Sequence, residues 1–122
     1  MPTRPIYQVK ADLFKTLGHP ARIRVLELLR EGERTVSELV PDVGLEPSHL
    51  SQQLAVLRRA HIVDTRRAGN TVVYRVRDPR VFQLLRTAKE MLTATLTDSS
   101  ELLDELESLD FSAPRRTARR GS

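Results

Sequence analysis

The sequence predicts a mainly α-helical fold carrying one β-hairpin, and three observations point to it. Leu50, Leu54 and Leu57 recur at i, i+4 and i+7, the spacing of one buried helical stripe. Ile62-Val63 and residues 72–76 are apolar, β-branched runs flanking Ala68-Gly69-Asn70, and Gly-Asn between such runs signals a hairpin turn. Further helix-like stretches lie on both sides, most of them bounded by Gly or Pro.

Taken in order, residues 1–8 read as a flexible lead containing two prolines, Pro2 and Pro5. Residues 9–111 read as the folded domain, and 112–122 (SAPRRTARRGS) as a disordered basic tail. Val9, Leu13, Phe14 and Leu17 recur at helical spacing up to Gly18, a helix stop. Pro20 restarts the chain at a first helical position, where its missing N–H is not needed. Ile23, Val25, Leu26, Leu28 and Leu29 give this second helix a broad apolar face, and Gly32 closes it. Thr35 or Ser37 can cap a short third helix with Val36, Leu39 and Val40 on its buried side. Pro41, Asp42, Val43 and Gly44 read as a turn, after which a helix starts near Pro47 and ends at Ala60 and His61. These two helices and their turn make a helix-turn-helix pair, with Leu39 and Leu45 expected against Leu50 and Leu54.

The ribbon behind the pair is expected to have two strands. Val72, Tyr74 and Val76 form its packed side, and Thr71, Val73, Arg75 and Arg77 the other. A helix-turn-helix with such a ribbon is a winged helix-turn-helix. Asp78 and Pro79 then begin a helix whose apolar residues (Val81, Leu84, Leu85, Ala88, Met91, Leu92, Leu96) spread too widely for one small domain to cover. Asp98, Ser99, Ser100 and Glu101 have capping-box character, and Leu102, Leu103, Leu106 and Leu109 follow as a stripe. Uncovered stripes of this size mean association, and two-fold pairing is the commonest form, so a homodimer is expected.

Composition sets limits. The 122 residues suit one domain, and the formal net charge of +4 with 20 basic against 16 acidic residues favours an anionic partner only weakly. There is no cysteine, which excludes disulfides, thiolate metal sites and thiol redox sensing. No apolar run approaches the roughly 20 residues of a membrane span, and no apolar signal segment opens the chain, so a cytoplasmic protein is expected.

The polar front of the Pro47 helix carries Ser48, His49, Ser51, Gln52, Gln53, Arg58 and Arg59. Such a front suits a DNA major groove, where Gln pairs bidentately with adenine and Ser or His meets base edges or phosphates. Arg66, Arg67, Asn70 and Arg75 on the ribbon suit the backbone or the adjacent minor groove. The alternative is a protein–protein interaction module without operator binding. Acidic or aromatic anchors would mark that surface, and this front has neither. An enzyme is not expected: the three histidines are far apart in sequence, no H-x-x-H pattern occurs, and no Gly-rich phosphate loop is present. His19 reads as a capping or packing residue beside Pro20.

Three stretches together resemble the ArsR/SmtB family of bacterial repressors: LFKTLGHPARIRVL at 13–26, LEPSHLSQQLAVLRRAHIV at 45–63 and RAGNTVVY at 67–74. The resemblance implies a winged helix dimerised through its first and last helices, repressing by occupying palindromic operators, that is, an inverted repeat in double-stranded DNA. Carried over by position, it implies DNA contacts from Ser48, His49, Ser51, Gln52 and Gln53, with wing contacts from Arg66, Arg67 and Asn70. Glu46-Pro47 departs from the family's small polar residues there, and a carboxylate at Glu46 repels phosphate unless it caps the helix or accepts from a cytosine amino group. The family's thiolate site has no counterpart in Ser37, Glu38, Leu39, Val40, Pro41 and Asp42. Its second site, in the helix after the wing, finds Asp78 and Glu90 here but no histidine beyond His61, with Arg80 and Arg86 nearby. No metal and no cofactor is therefore expected, which leaves a small-molecule effector of unidentified chemistry, a partner protein or protein abundance as the signal.

Overall fold

The computed structural model describes residues 3–96 and 100–109. Asp98 and Ser99 of the expected last cap, and the basic tail 112–122, lie outside these residues. The chain divides between Pro79 and Arg80 into two compact units, a boundary inside the expected single span 9–111.

In the first unit, local chemistry sets each helix start. Helix α1 (Ile6–Leu17) begins directly after Pro5, whose carbonyl accepts from Gln8 and Val9. It thus starts three residues before the expected boundary at Val9, because the apolar stripe already includes Ile6. Helix α2 (Pro20–Leu29) is capped by His19, whose Nδ1 accepts from the Ala21 N–H at 3.1 Å. Helix α3 (Val36–Val43) opens on a capping box: Thr35 Oγ1 accepts from Glu38 N–H, and Glu38 Oε1 accepts from Thr35 N–H. Contrary to the sequence expectation, α3 continues through Pro41 to Val43. A proline gives up its own N–H bond and crowds the carbonyl four residues earlier, yet the helix runs on until Gly44, at φ 82°, ends it in the left-handed conformation.

Helix α4 (Pro47–Arg59) carries Pro47 at its first position, and Glu46 is the N-cap residue without a side-chain capping bond. Its end is a Schellman motif: Ile62 N–H bonds Leu57 C=O at 2.9 Å and His61 N–H bonds Arg58 C=O at 3.0 Å. His61 takes φ 61°, the one non-glycine residue with positive φ among the described residues.

The sheet has three strands where two were expected: β1 (Arg34–Thr35), β2 (Val63–Ala68) and β3 (Thr71–Val76), all antiparallel in the order β1-β3-β2. β1 spans two residues, too short to show alternation. Gly69, at φ 65°, takes the first central position of the two-residue turn between β2 and β3. Val63 with Val76 and Thr65 with Tyr74 share one face, while Arg66 with Val73 and Asp64 with Arg75 share the other. The expected packed side is only partly right. Val72 is 38% exposed near the tip, whereas Val73, on the opposite face, is 8% exposed because β3 also packs on α2 and α3.

The core of this unit is built from Val25, Leu26, Leu39, Leu50, Leu54, Leu57 and Val63, all fully buried. Leu39 is thus fully buried, while Leu45 is half-buried. In the second unit, α5 (Arg80–Thr95) has no buried residue, and α6 (Ser100–Ser108) follows. No helix among the described residues is long and apolar enough to cross a membrane.

Candidate nucleic-acid interface

At roughly 100° per residue, Leu50, Leu54 and Leu57 turn one side of α4 into the core. Ser48, Gln52 and Arg59 then fall on the opposite side, with His49 and Ser51 flanking them, and all five are exposed. Ser48, His49, Ser51 and Gln52 make no side-chain hydrogen bond or ion pair among the described residues, so their donors and acceptors are available to a partner. α4 contacts α2, α3 and β2, which fixes the direction in which this front points.

Gln53 differs from its neighbours. It sits beside the buried stripe, is half-buried, and its Oε1 accepts from Arg22 Nε at 2.8 Å. Arg22 also donates through NH1 to the Thr16 carbonyl at 3.0 Å. Nearby, Arg24 Nε donates to the Asp42 carbonyl at the end of α3. α2 is therefore tied by one arginine to each helix of the pair. The sequence reading grouped Gln53 with the reading residues, although its three-residue spacing from Leu50 already puts it next to the core.

The wing residues also separate. Arg67 and Asn70 are exposed near the tip and have no side-chain partner among the described residues. Arg66 lies on the other face and forks onto Glu33: Nε meets both carboxylate oxygens at 3.1 and 3.0 Å, and NH2 meets Oε1 at 2.6 Å. This hydrogen bonding holds the Glu33 carboxyl below its ordinary range and raises the Arg66 guanidinium. The pair reaches across β3, which lies between β2, carrying Arg66, and β1, which follows Glu33. Sequence reasoning missed Glu33, since a contact 33 residues away leaves no local signal. Arg58, Arg59 and Arg75 are exposed, and Arg77 lies 3.5 Å from His61 Nδ1. The exposed α4 front thus carries Ser48, His49, Ser51 and Gln52, with Arg58 and Arg59 at its end and Arg67 and Arg75 on the wing.

Known proteins share this arrangement. Residues 19–65 match the bacterial regulatory protein, arsR family. The chain is 51% identical over 107 residues to the uncharacterized HTH-type transcriptional regulator Rv0081 of Mycobacterium tuberculosis, covering 87% of this chain and 94% of that one. The crystal structure of the same protein superposes with a TM-score of 0.72 over 79% of this chain and 97% of that one, at 54% identity. The transcriptional repressor BigR of Xylella fastidiosa superposes with a TM-score of 0.65 at 39% identity, covering 70% of this chain and 87% of that one. A homodimeric winged helix-turn-helix DNA-binding domain from Mycobacterium bovis does so with a TM-score of 0.65 at 27% identity, over 77% and 95%. With the helix-turn-helix, the wing and a relative matched over nearly its whole length, the chain belongs to the ArsR family of bacterial transcriptional regulators, which are not enzymes.

Proposed function

We propose that this regulator is a repressor that binds an inverted repeat as a homodimer, with the α4 front in the major groove and the wing on the phosphate backbone. One observation carries the reading. Four polar side chains, Ser48, His49, Ser51 and Gln52, lie exposed and unpartnered on a helix whose back is fixed by three fully buried leucines. Such a face meets base edges without first having to break intramolecular bonds. Repression is supported by the Xylella relative, which is named a repressor.

The homodimer is supported by the Mycobacterium bovis domain and by apolar surface left open on this chain. Ile6, Tyr7, Val9, Leu13 and Phe14 of α1 are exposed, Phe14 by 58%, and so are Met91 and Leu92 of α5, Met91 by 65%. Half-sites would then lie about one helical turn apart, roughly 10 bp centre to centre. A mobility-shift titration against the DNA upstream of the protein's own gene tests the reading. A dimer complex is expected, and footprinting should protect both half-sites. Protection of a lone half-site by a monomer contradicts the architecture, and no shift at any concentration contradicts DNA binding.

The same proposal takes the signal to be something other than a metal. The chain has no cysteine, and the described residues contain no group of three or more His, Asp or Glu placed to hold an ion. Asp78 and Glu90 without imidazole are poor ligands for zinc or nickel. Calorimetry with zinc, nickel and cadmium should give no stoichiometric micromolar isotherm. A tight isotherm of one ion per protomer that also released DNA contradicts this.

A further inference from the structure

We infer that Arg22 and Gln53 form a positioning pair that sets how the α4 front is presented to DNA, and that Gln53 does not itself read bases. The inference rests on the DNA-binding reading of α4 given above. A glutamine that reads adenine uses both ends of its amide, Oε1 accepting from the N6 amino group and Nε2 donating to N7. In this protein Oε1 already accepts from Arg22 Nε at 2.8 Å. Reading a base would break a hydrogen bond to a charged donor and leave the half-buried Nε unpaired, which costs more than a neutral exchange.

The other arm of the same guanidinium explains why the bond is there. Arg22 NH1 satisfies the Thr16 carbonyl, one of the last four of α1, which have no partner within their own helix. One rigid planar group thus joins the end of α1 to the middle of α4. α1 is also a helix proposed for the dimer, so the tie links the reading helix directly to an element that sets half-site spacing. Lysine would replace this arginine poorly, because its donors all sit on one nitrogen whereas Nε and NH1 of the guanidinium meet two separate acceptors.

The test compares five proteins: wild type, Gln53→Ala, Gln53→Glu, Arg22→Ala and the Arg22→Ala/Gln53→Ala double variant. Each is selected against a library of randomised duplexes, then titrated with the duplex the wild type prefers. All five are expected to enrich the same sequence. Gln53→Ala should bind it about tenfold more weakly, the effect of one lost hydrogen bond to a charged group, and Arg22→Ala, which also releases the Thr16 carbonyl, at least as weakly. The double variant should be no weaker than Arg22→Ala, because Arg22→Ala already removes the bond to Gln53 together with the bond to Thr16. Gln53→Glu keeps an acceptor for Arg22 and should retain most of the affinity. Gln53→Ala alone decides the matter if Arg22→Ala does not fold. A changed base preference in Gln53→Ala overturns the inference, as does an additive loss in the double variant. Enrichment of no sequence by the wild type overturns the DNA-binding reading and this inference with it. Failure of the inference alone is recognised by normal wild-type enrichment.

Discussion

Helix α4 and the wing lie side by side in sequence, yet they are held in different ways. α4 is fixed from behind by Leu50, Leu54 and Leu57, each with no exposed surface, and its end is closed by backbone bonds. The wing is anchored only at its base, by Val63 and Val73, and its arms and tip are exposed. Among the described residues, the surface pair Glu33–Arg66 ties a wing side chain to the rest of its unit. A front whose orientation is set by the core can discriminate bases, because a displaced reader loses hydrogen-bond geometry steeply. A less constrained arm suits phosphate, whose attraction depends little on angle.

The largest expected effect breaks the α4 side of this comparison. Leu54→Ala should destabilise the protein by about 2–5 kcal/mol, since the surrounding core can relax only partly. Val72→Ala near the wing tip should cost no more than about 0.5 kcal/mol. Urea unfolding checks both, and equal losses would erase the difference in anchoring. Next in size, Gln52→Ala should relax base preference by about 1–3 kcal/mol per bidentate pair lost, read by competition between matched and mismatched duplexes.

The junction between the two elements offers a smaller change of opposite sign. His61 occupies a left-handed position that glycine adopts without strain, so His61→Gly should stabilise the fold by about 1 kcal/mol. A lower thermal midpoint for His61→Gly would mean that the contact with Arg77 outweighs the backbone strain. The smallest effect concerns Glu33. Its folded-state pKa is depressed by the Arg66 hydrogen bonds, so the stability it contributes is present above the ordinary carboxylate range. That contribution is lost as pH falls through the depressed value. Both groups are exposed, so the effect should be slight and should fade in high salt. Thermal midpoints of wild type and Glu33→Gln should therefore differ near neutrality and converge in acid; a gap that widened in acid would assign Glu33 another role.

What the sequence disclosed follows from the range of each interaction. The leucine stripe of α4, the His19 and Thr35 caps and the Gly69-Asn70 turn are local patterns, and the structure contains each of them. Strand β1 was hidden because two residues carry no period, and Thr35 also serves as the α3 cap. Pro41 reads as a turn residue beside Asp42 and Gly44, whereas the helix opened by the Thr35 capping box runs through it to Val43. Alternation along β3 puts Val73 opposite Val72, Tyr74 and Val76 but says nothing of the packing of β3 on α2 and α3, and Val73 is buried. The candidate site was legible as a list of side chains but not as a division of labour. The partners that engage Gln53 and Arg66, Arg22 and Glu33, lie 31 and 33 residues away in the chain.

Salt dependence of DNA binding tests the division between reading helix and phosphate-holding wing most directly. The logarithm of the association constant, plotted against the logarithm of salt concentration, falls by about 0.9 for each phosphate contact. Gln52→Ala is expected to give a weaker line parallel to wild type, and Arg67→Ala a line shallower by about one contact. A parallel line for Arg67→Ala together with a shallower one for Gln52→Ala would contradict the account.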